Sequence, residues 1–207
     1  MSKFLVFAPG LAAVLLLFGD AAVAAGSSAT PDYKVGERLA PGKDAAPSRP
    51  AKSSSSDFKL TNWDQLLPKG WNPMQELQSL SLSMMSDADP RAQEALERMK
   101  REWENAPLEN SMDNQRIRIA GFVVPLEAEG NRLREFLLVP YFGACIHVPP
   151  PPANQIIHVK TAKPVRGVRA MDPVWISGTL RAAPIGTKMG TSGYRMEAEV
   201  VEPYKGP

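Results

Sequence analysis

Residues 174–181 read VWISGTLR, and the period of this stretch decides the fold class. Val174, Ile176 and Leu180 would point to one face of a β-strand and the intervening residues to the other, because successive side chains alternate across a strand. Residues 194–202, YRMEAEVVE, alternate in the same way. These two runs therefore predict strands that each place one face on a core.

Three further strands are predicted upstream, over residues 116–126, 135–141 and 154–161. Gly121 lies in the middle of the first of them and indicates a bulge or a sharp bend. Five short strands, of which the first is bent by glycine, predict a mainly β (α+β) fold built on a small five-stranded OB-like barrel. A fragment of a β-sandwich is the alternative.

An amphipathic pattern before the strands predicts an N-terminal helical cap for the barrel. The pattern begins at Pro90, where Asp87 or Asp89 can cap the first turn, and it ends before Pro107. The predicted organisation is a signal peptide over residues 1–25, a disordered linker over 26–57 and one folded domain over 58–207, divided into a helical and irregular cap (58–110) and the barrel (111–207).

The first 25 residues have the pattern of an export signal. Lys3 precedes an apolar run, and small residues allow cleavage after Ala24 or Ala25. The segment that follows is rich in Ser, Ala, Pro and Lys, which is typical of a disordered linker. We therefore expect a periplasmic protein. The formal net charge of +2 and the lack of a basic stripe argue against a nucleic-acid partner.

The segment GACIHVPPPPANQ, residues 143–155, carries the candidate site. Cys145 is the only cysteine of the chain, and His147 would share its face if this part is a strand. His158, on the next predicted strand, is a possible third ligand. A thiolate with imidazoles suits zinc, or copper as the second choice. Because two ligands rarely bind a metal tightly, a homodimer that supplies two Cys-His pairs is also possible.

Two other interpretations of this segment stay open. Cys145 and His147 could form a nucleophile and its base, with Asn154 as the group that orients the base, which would make the protein a thiol enzyme. Alternatively the cysteine is a small buried residue that supports a stiff, exposed proline arch available for docking. The arch consists of Pro149, Pro150, Pro151 and Pro152.

Four stretches of the sequence resemble the bacterial domain-of-unknown-function family 3299. They are WDQLLP at 63–68, IAGFVVPL at 119–126, FLLVP at 136–140 and GACIHVPPPPANQ at 143–155, and the resemblance spans about Trp63 to Pro203. The resemblance implies an exported protein without an established enzymatic activity. It also implies a companion of metal-handling or export systems, with a component of an ABC-type membrane transporter as partner. The positions it identifies as a signature are Cys145, His147, Asn154 and Gln155.

The sequence thus predicts a non-enzymatic, exported accessory protein that binds zinc through Cys145, His147 and His158 and serves a membrane transport system. The alternative is a metal-free interaction module of the cell envelope in which the cysteine is structural. A thiol enzyme is the least favoured of the three.

Overall fold

A computed structural model describes residues 32–39, 57–72, 89–130 and 132–205. The predicted signal peptide and most of the predicted linker lie outside these ranges, so export and the cleavage site stay predictions. In the described part of the chain, no helix has both the length and the apolar character needed to cross a membrane.

Six strands form one sheet, and five of them close into a barrel. The strands are β1 (Lys59–Leu60), β2 (Arg116–Glu129), β3 (Arg132–Val139), β4 (Ile157–Arg166), β5 (Pro173–Thr187) and β6 (Gly190–Pro203). The barrel runs β2-β3-β4-β6-β5 and closes when β5 pairs with β2. Adjacent strands of the barrel are antiparallel, except that β4 and β6 are parallel. The short strand β1 pairs in parallel with β2. The predicted OB-like barrel is confirmed.

The alternating residues that predicted β5 and β6 do fill the barrel interior. Ile176 and Leu180 of β5 and Tyr194 and Met196 of β6 are buried in the main core. Gly121 also lies on the inward side of β2, where a Cβ would stand 2.7 Å from Leu138 Cγ and 2.8 Å from the Val139 carbonyl oxygen. Gly121 pairs with Val174 in the regular β2–β5 register, so it forms no bulge there and instead permits the close approach of β3.

Strands β2 and β3 are buried on both faces over residues 121–124 and 136–139, where their apolar runs are unbroken. Their outward side chains Phe122, Val124, Leu137 and Val139 form a second buried cluster with Ala144, Ile156 and Met171, here called the outer cluster. Tyr33 and Leu39 also pack against it. Residues 32–39 of the predicted linker are therefore docked on the outside of the barrel.

The predicted helix is present as α1 (Pro90–Glu104). The Asp89 carboxylate accepts a hydrogen bond from the Arg91 N–H and caps the first turn, and Asn105 caps the last. Ala95 is the buried residue of this helix, whereas Leu96 leaves 43% of its surface exposed. Leu96 is therefore not part of the packed face.

Candidate functional site

The Gly143–Val148 segment is a tight turn after β3 and not a strand. The Gly143 carbonyl accepts hydrogen bonds from the backbone N–H groups of His147, at 2.8 Å, and of Ile146 and Val148, both at 3.2 Å. Cys145 itself adopts a left-handed backbone conformation with φ of +64°. Cys145 and His147 therefore do not share a strand face, because the alternation of a strand does not apply to this turn.

The surroundings of Cys145 favour a neutral thiol. The side chain packs against the outer cluster, and burial raises its pKa to about 11. His147, two residues away, is exposed. Because the thiolate is the form that attacks electrophiles and binds metals, the observed environment opposes both activities.

His158 is held by a carboxylate on the neighbouring strand. Its ring pairs with Glu135 of β3, with 2.5 Å between His158 Nε2 and Glu135 Oε1, and the residue is only 1% exposed. Burial acts to raise the pKa of Glu135, but its hydrogen bond and charge interaction with His158, together with Lys160, prevail and lower it. His158 Nδ1 is buried without a hydrogen-bond partner among the described residues.

The three predicted metal ligands are consequently placed in different settings: a packed thiol, an exposed imidazole and an imidazole paired with Glu135. Within the described ranges, no three His, Cys, Asp or Glu side chains are grouped so that they could hold a metal ion. As placed, these residues do not fit a three-ligand zinc or copper site. Metal binding through Cys145, His147 and His158 stays a prediction.

The reactivity of Cys145 is open to a direct test. At pH 8 we expect iodoacetamide to alkylate it roughly 100-fold more slowly than a thiol of ordinary pKa 9.0, because burial moves the pKa to about 11 and leaves less thiolate. The measurement is a mass-spectrometric time course between pH 7 and pH 11, with the urea-unfolded protein as control. Rapid alkylation at pH 7 in the folded protein would contradict the buried-thiol interpretation and revive the thiol enzyme.

Asn154 and Gln155 join distant segments at one end of the barrel. They were predicted to begin a strand, but they lie in a 3-10 turn, Ala153–Gln155, and β4 starts only at Ile157. Asn154 Nδ2 donates to the Pro107 carbonyl at 2.9 Å, and Gln155 Nε2 donates to the Trp63 carbonyl at 2.9 Å. These signature amides are therefore structural links.

Tyr194 completes the same closure from inside the barrel. Its hydroxyl donates to the Leu66 carbonyl at 2.9 Å and accepts from the Glu109 N–H at 2.7 Å. The short 3-10 helix Trp63–Leu66, the segment around Glu109 and the Asn-Gln turn thus seal one end of the barrel, and are here called the end cap.

The proline run is only partly the exposed arch that the sequence predicts. Pro149 and Pro150 are exposed, but Pro151 and Pro152 are buried. Pro150 also lies close to Gly190 at the β5–β6 hairpin, where a Cβ would stand 3.0 Å from Pro150 Cβ. Half of the run is thus fold-defining rather than free for docking.

Sequence reasoning missed an open groove on the outside of the barrel, next to the end cap. Its volume is about 380 Å³, within the range of small binding sites. Its apolar lining consists of Leu39, Leu60, Trp63, Ala120, Pro140 and Trp175. Leu60 leaves 55% of its surface exposed at this groove, so a partner could reach it. Trp63 was the sequence signal, and it also serves as a packing residue of the main core.

The side-chain oxygens of two polar residues in the groove are already engaged. Asn62 and Gln65 satisfy each other in a capping box, with Asn62 Oδ1 accepting from the Gln65 N–H and Gln65 Oε1 accepting from the Asn62 N–H. On the rim, Arg38 and Asp64 form an exposed ion pair, with 3.5 Å between Nη1 and Oδ1. The groove therefore presents apolar surface and a rim with charges of both signs.

Trp175 is fixed in the wall of the groove by its neighbours. The Arg118 guanidinium stacks over its ring at 5.0 Å and binds Glu202 with 2.7 Å between Nη1 and Oε2. The Tyr204 ring lies 5.6 Å from it on another side. The wall is thus largely preformed.

The profile of the family described as "Protein of unknown function (DUF3299)" matches residues 63–203. A crystal structure of a DUF3299 family protein from Pseudomonas aeruginosa PAO1 is 37% identical, with a TM-score of 0.56, and the match covers 72% of this chain and 98% of that one. No curated protein sequence is significantly similar.

Two other solved structures match at low identity. A small single-stranded DNA-binding protein from Streptomyces coelicolor is 13% identical, with a TM-score of 0.28 and coverage of 45% of this chain and 96% of that one. The OBody AM3L15, solved bound to hen egg-white lysozyme, is 12% identical, with a TM-score of 0.27 and coverage of 47% and 88%. Neither match bears on what this chain does. The family profile and the Pseudomonas structure together establish that the chain belongs to the DUF3299 family.

Proposed function

We propose that this protein is an exported interaction module that binds an extended polypeptide segment of a cell-envelope protein in the groove beside the end cap. The observation that carries the proposal is the groove itself, which is lined by the exposed Leu60 and by Trp63 and Trp175. The transporter component suggested by the family resemblance is the first partner to test. The proposal needs no metal and no reactive thiol.

The chemistry of the groove favours a polypeptide over a sugar or a nucleic acid. The groove offers few free acceptors to a sugar, because the side-chain oxygens of Asn62 and Gln65 already accept backbone hydrogen bonds. A nucleic acid needs unpaired cations, but Arg38, the cation of the rim, faces Asp64. An apolar side chain of a peptide would bury its surface mainly against Leu60, because Trp175 leaves only 7% of its surface exposed. Burial of apolar surface is the dominant favourable term in association.

A neighbouring segment supports the same choice. Residues 32–39 already lie on the barrel next to the groove, and their backbone exchanges two hydrogen bonds with Phe142: the Gly36 N–H donates to the Phe142 carbonyl and the Phe142 N–H donates to the Glu37 carbonyl, both at 2.9 Å. This part of the barrel thus holds one polypeptide segment by backbone pairing and apolar contact. A second segment beside it would use the same interactions.

A charge placed in the groove should abolish partner binding. We expect Leu60→Glu to weaken binding by at least about tenfold, because the carboxylate would lose its hydration against apolar walls. The measurement is site-specific photo-crosslinking in cells that produce the full precursor. A photoreactive residue at position 60 should give a covalent adduct with a polypeptide. Added wild-type protein without the photoreactive residue should compete for the partner and suppress the adduct, whereas added Leu60→Glu protein should not.

Leu96 supplies the matched control, since it is an exposed leucine on α1 away from the groove. A photoreactive residue at position 96 should give no such adduct, and Leu96→Glu should compete as well as the wild type. Equal adducts from both positions, or competition by Leu60→Glu, would remove the groove as the binding site. Stoichiometric zinc in the purified protein that is lost in Cys145→Ala would instead favour the metal-binding prediction.

A further inference from the structure

The segment Asp32–Leu39, here called the strap, forms one wall of the groove. Arg38 and Leu39 line the groove from the strap, while Leu60 and Trp63 line it from the barrel side. A polypeptide that occupies the groove must therefore contact the strap as well as the barrel. The strap lies outside residues 63–203, which are the part matched by the family profile.

The strap is held by few contacts, and most of them lie away from the groove. The Tyr33 ring packs edge-on against Phe122 at 5.1 Å and stacks with Phe142 at 6.1 Å. Two backbone hydrogen bonds join the strap to Phe142, and Arg38 pairs with Asp64. Residues 34–38 of the strap are otherwise exposed. Segments with few buried contacts open at a lower free-energy cost than the core.

We infer that the strap is a displaceable clamp of the groove, and that a bound polypeptide and the docked strap stabilise each other. This inference rests on the proposed function, since the ligand is the segment that the groove holds. Its physical basis is linkage: a ligand that contacts Arg38 and Leu39 binds the docked form better than the open form, and so shifts the population toward it. The anchor Tyr33 does not line the groove, so weakening it should reduce binding without removing a ligand contact.

The docking of the strap is measured first, without any ligand. Hydrogen exchange of the Gly36 and Phe142 amides reports strap opening. Each of these amides donates a hydrogen bond that joins the strap to the segment after β3, and opening breaks both bonds. We expect Tyr33→Ala to speed exchange of both amides by about tenfold, from the loss of two aromatic contacts. Exchange of the Ile119 amide in β2 should stay unchanged. Tyr33→Phe keeps the ring and should behave like the wild type, as should Lys34→Ala on the exposed side of the strap.

The coupling is measured next, with the photoreactive residue at position 60 as the probe. We expect Tyr33→Ala to lower the yield of the adduct in proportion to the docked population that hydrogen exchange gives, by at most the tenfold rise in opening, with Tyr33→Phe restoring it. An adduct yield in Tyr33→Ala that does not follow the docked fraction calculated from Gly36 exchange would overturn the coupling while leaving the groove as the binding site. Unchanged exchange in Tyr33→Ala would overturn the clamp. An absent adduct in the wild type would overturn the proposed function, and the coupling with it.

Discussion

Replacing Leu66 by alanine is expected to lower the free energy of unfolding by about 2–5 kcal/mol, the range for deleting a large core side chain. Leu66 is fully buried and belongs to the main core, although it lies outside the barrel strands in the 3-10 helix of the end cap. Its truncation would leave a cavity beneath the cap. It would also loosen the backbone carbonyl that accepts the Tyr194 hydroxyl.

The measurement is urea unfolding followed by tryptophan fluorescence, with Leu96→Ala as the control. The control should change stability by less than about 0.5 kcal/mol, as is usual for an exposed position. A midpoint for Leu66→Ala that matches the wild type would mean that the end cap is not part of the cooperative unit. A separate unfolding transition of the wild type at low urea concentration would also mean that the end cap unfolds independently of the barrel.

Gly178→Ala is expected to destabilise the barrel by about 3 kcal/mol, at the upper end of the range for overpacking. A Cβ at position 178 would overlap the Glu197 carbonyl oxygen and approach Met196 Cγ at 3.1 Å. The obstacle is backbone of the paired strand β6, which a rotamer change cannot move. Gly178 also stands at the register shift between β5 and β6, so the ladder on one side is already interrupted.

Gly186→Ala is the matched control on the same strand, because nothing lies within 4 Å of a Cβ at that position. It should leave stability unchanged or raise it slightly, since alanine loses less conformational entropy on folding than glycine does. The measurement is thermal and urea unfolding of both variants. If Gly178→Ala and Gly186→Ala unfold with equal free energies, β5 and β6 can move apart at position 178 without a loss of stability.

The barrel was predictable because its strands carry their pattern locally. The alternation over β5 and β6 identifies the inward faces without any tertiary information, and Asp89 with Pro90 identifies the start of α1. Asn154 and Gln155 were placed wrongly in a strand because a single turn of 3-10 helix between a proline run and β4 has no periodic signature. Their hydrogen bonds to Pro107 and Trp63 depend on chain segments far away in sequence.

The candidate site was less predictable, because its arrangement also depends on chain segments far apart in sequence. His158 was predicted as a third ligand beside Cys145 and His147, but the β3–β4 register sets it opposite Leu137 and within reach of Glu135. Register is a property of the paired strands and cannot be derived from either strand alone. The strap was missed because its composition resembles a linker. Its docking depends on one tyrosine and on the backbone of Phe142.

The position of β6 in the barrel has a consequence for the order of folding. This strand is the last of the six in the described part of the chain, yet it lies between β4 and β5, and its Tyr194 reaches a carbonyl 128 positions earlier. The barrel therefore cannot close before β6 has been synthesised. Until then β4 and β5 lack their common neighbour and the end cap lacks its buried hydroxyl. Such dependence on distant contacts slows folding, so we expect closure of the barrel by β6 to limit the folding rate.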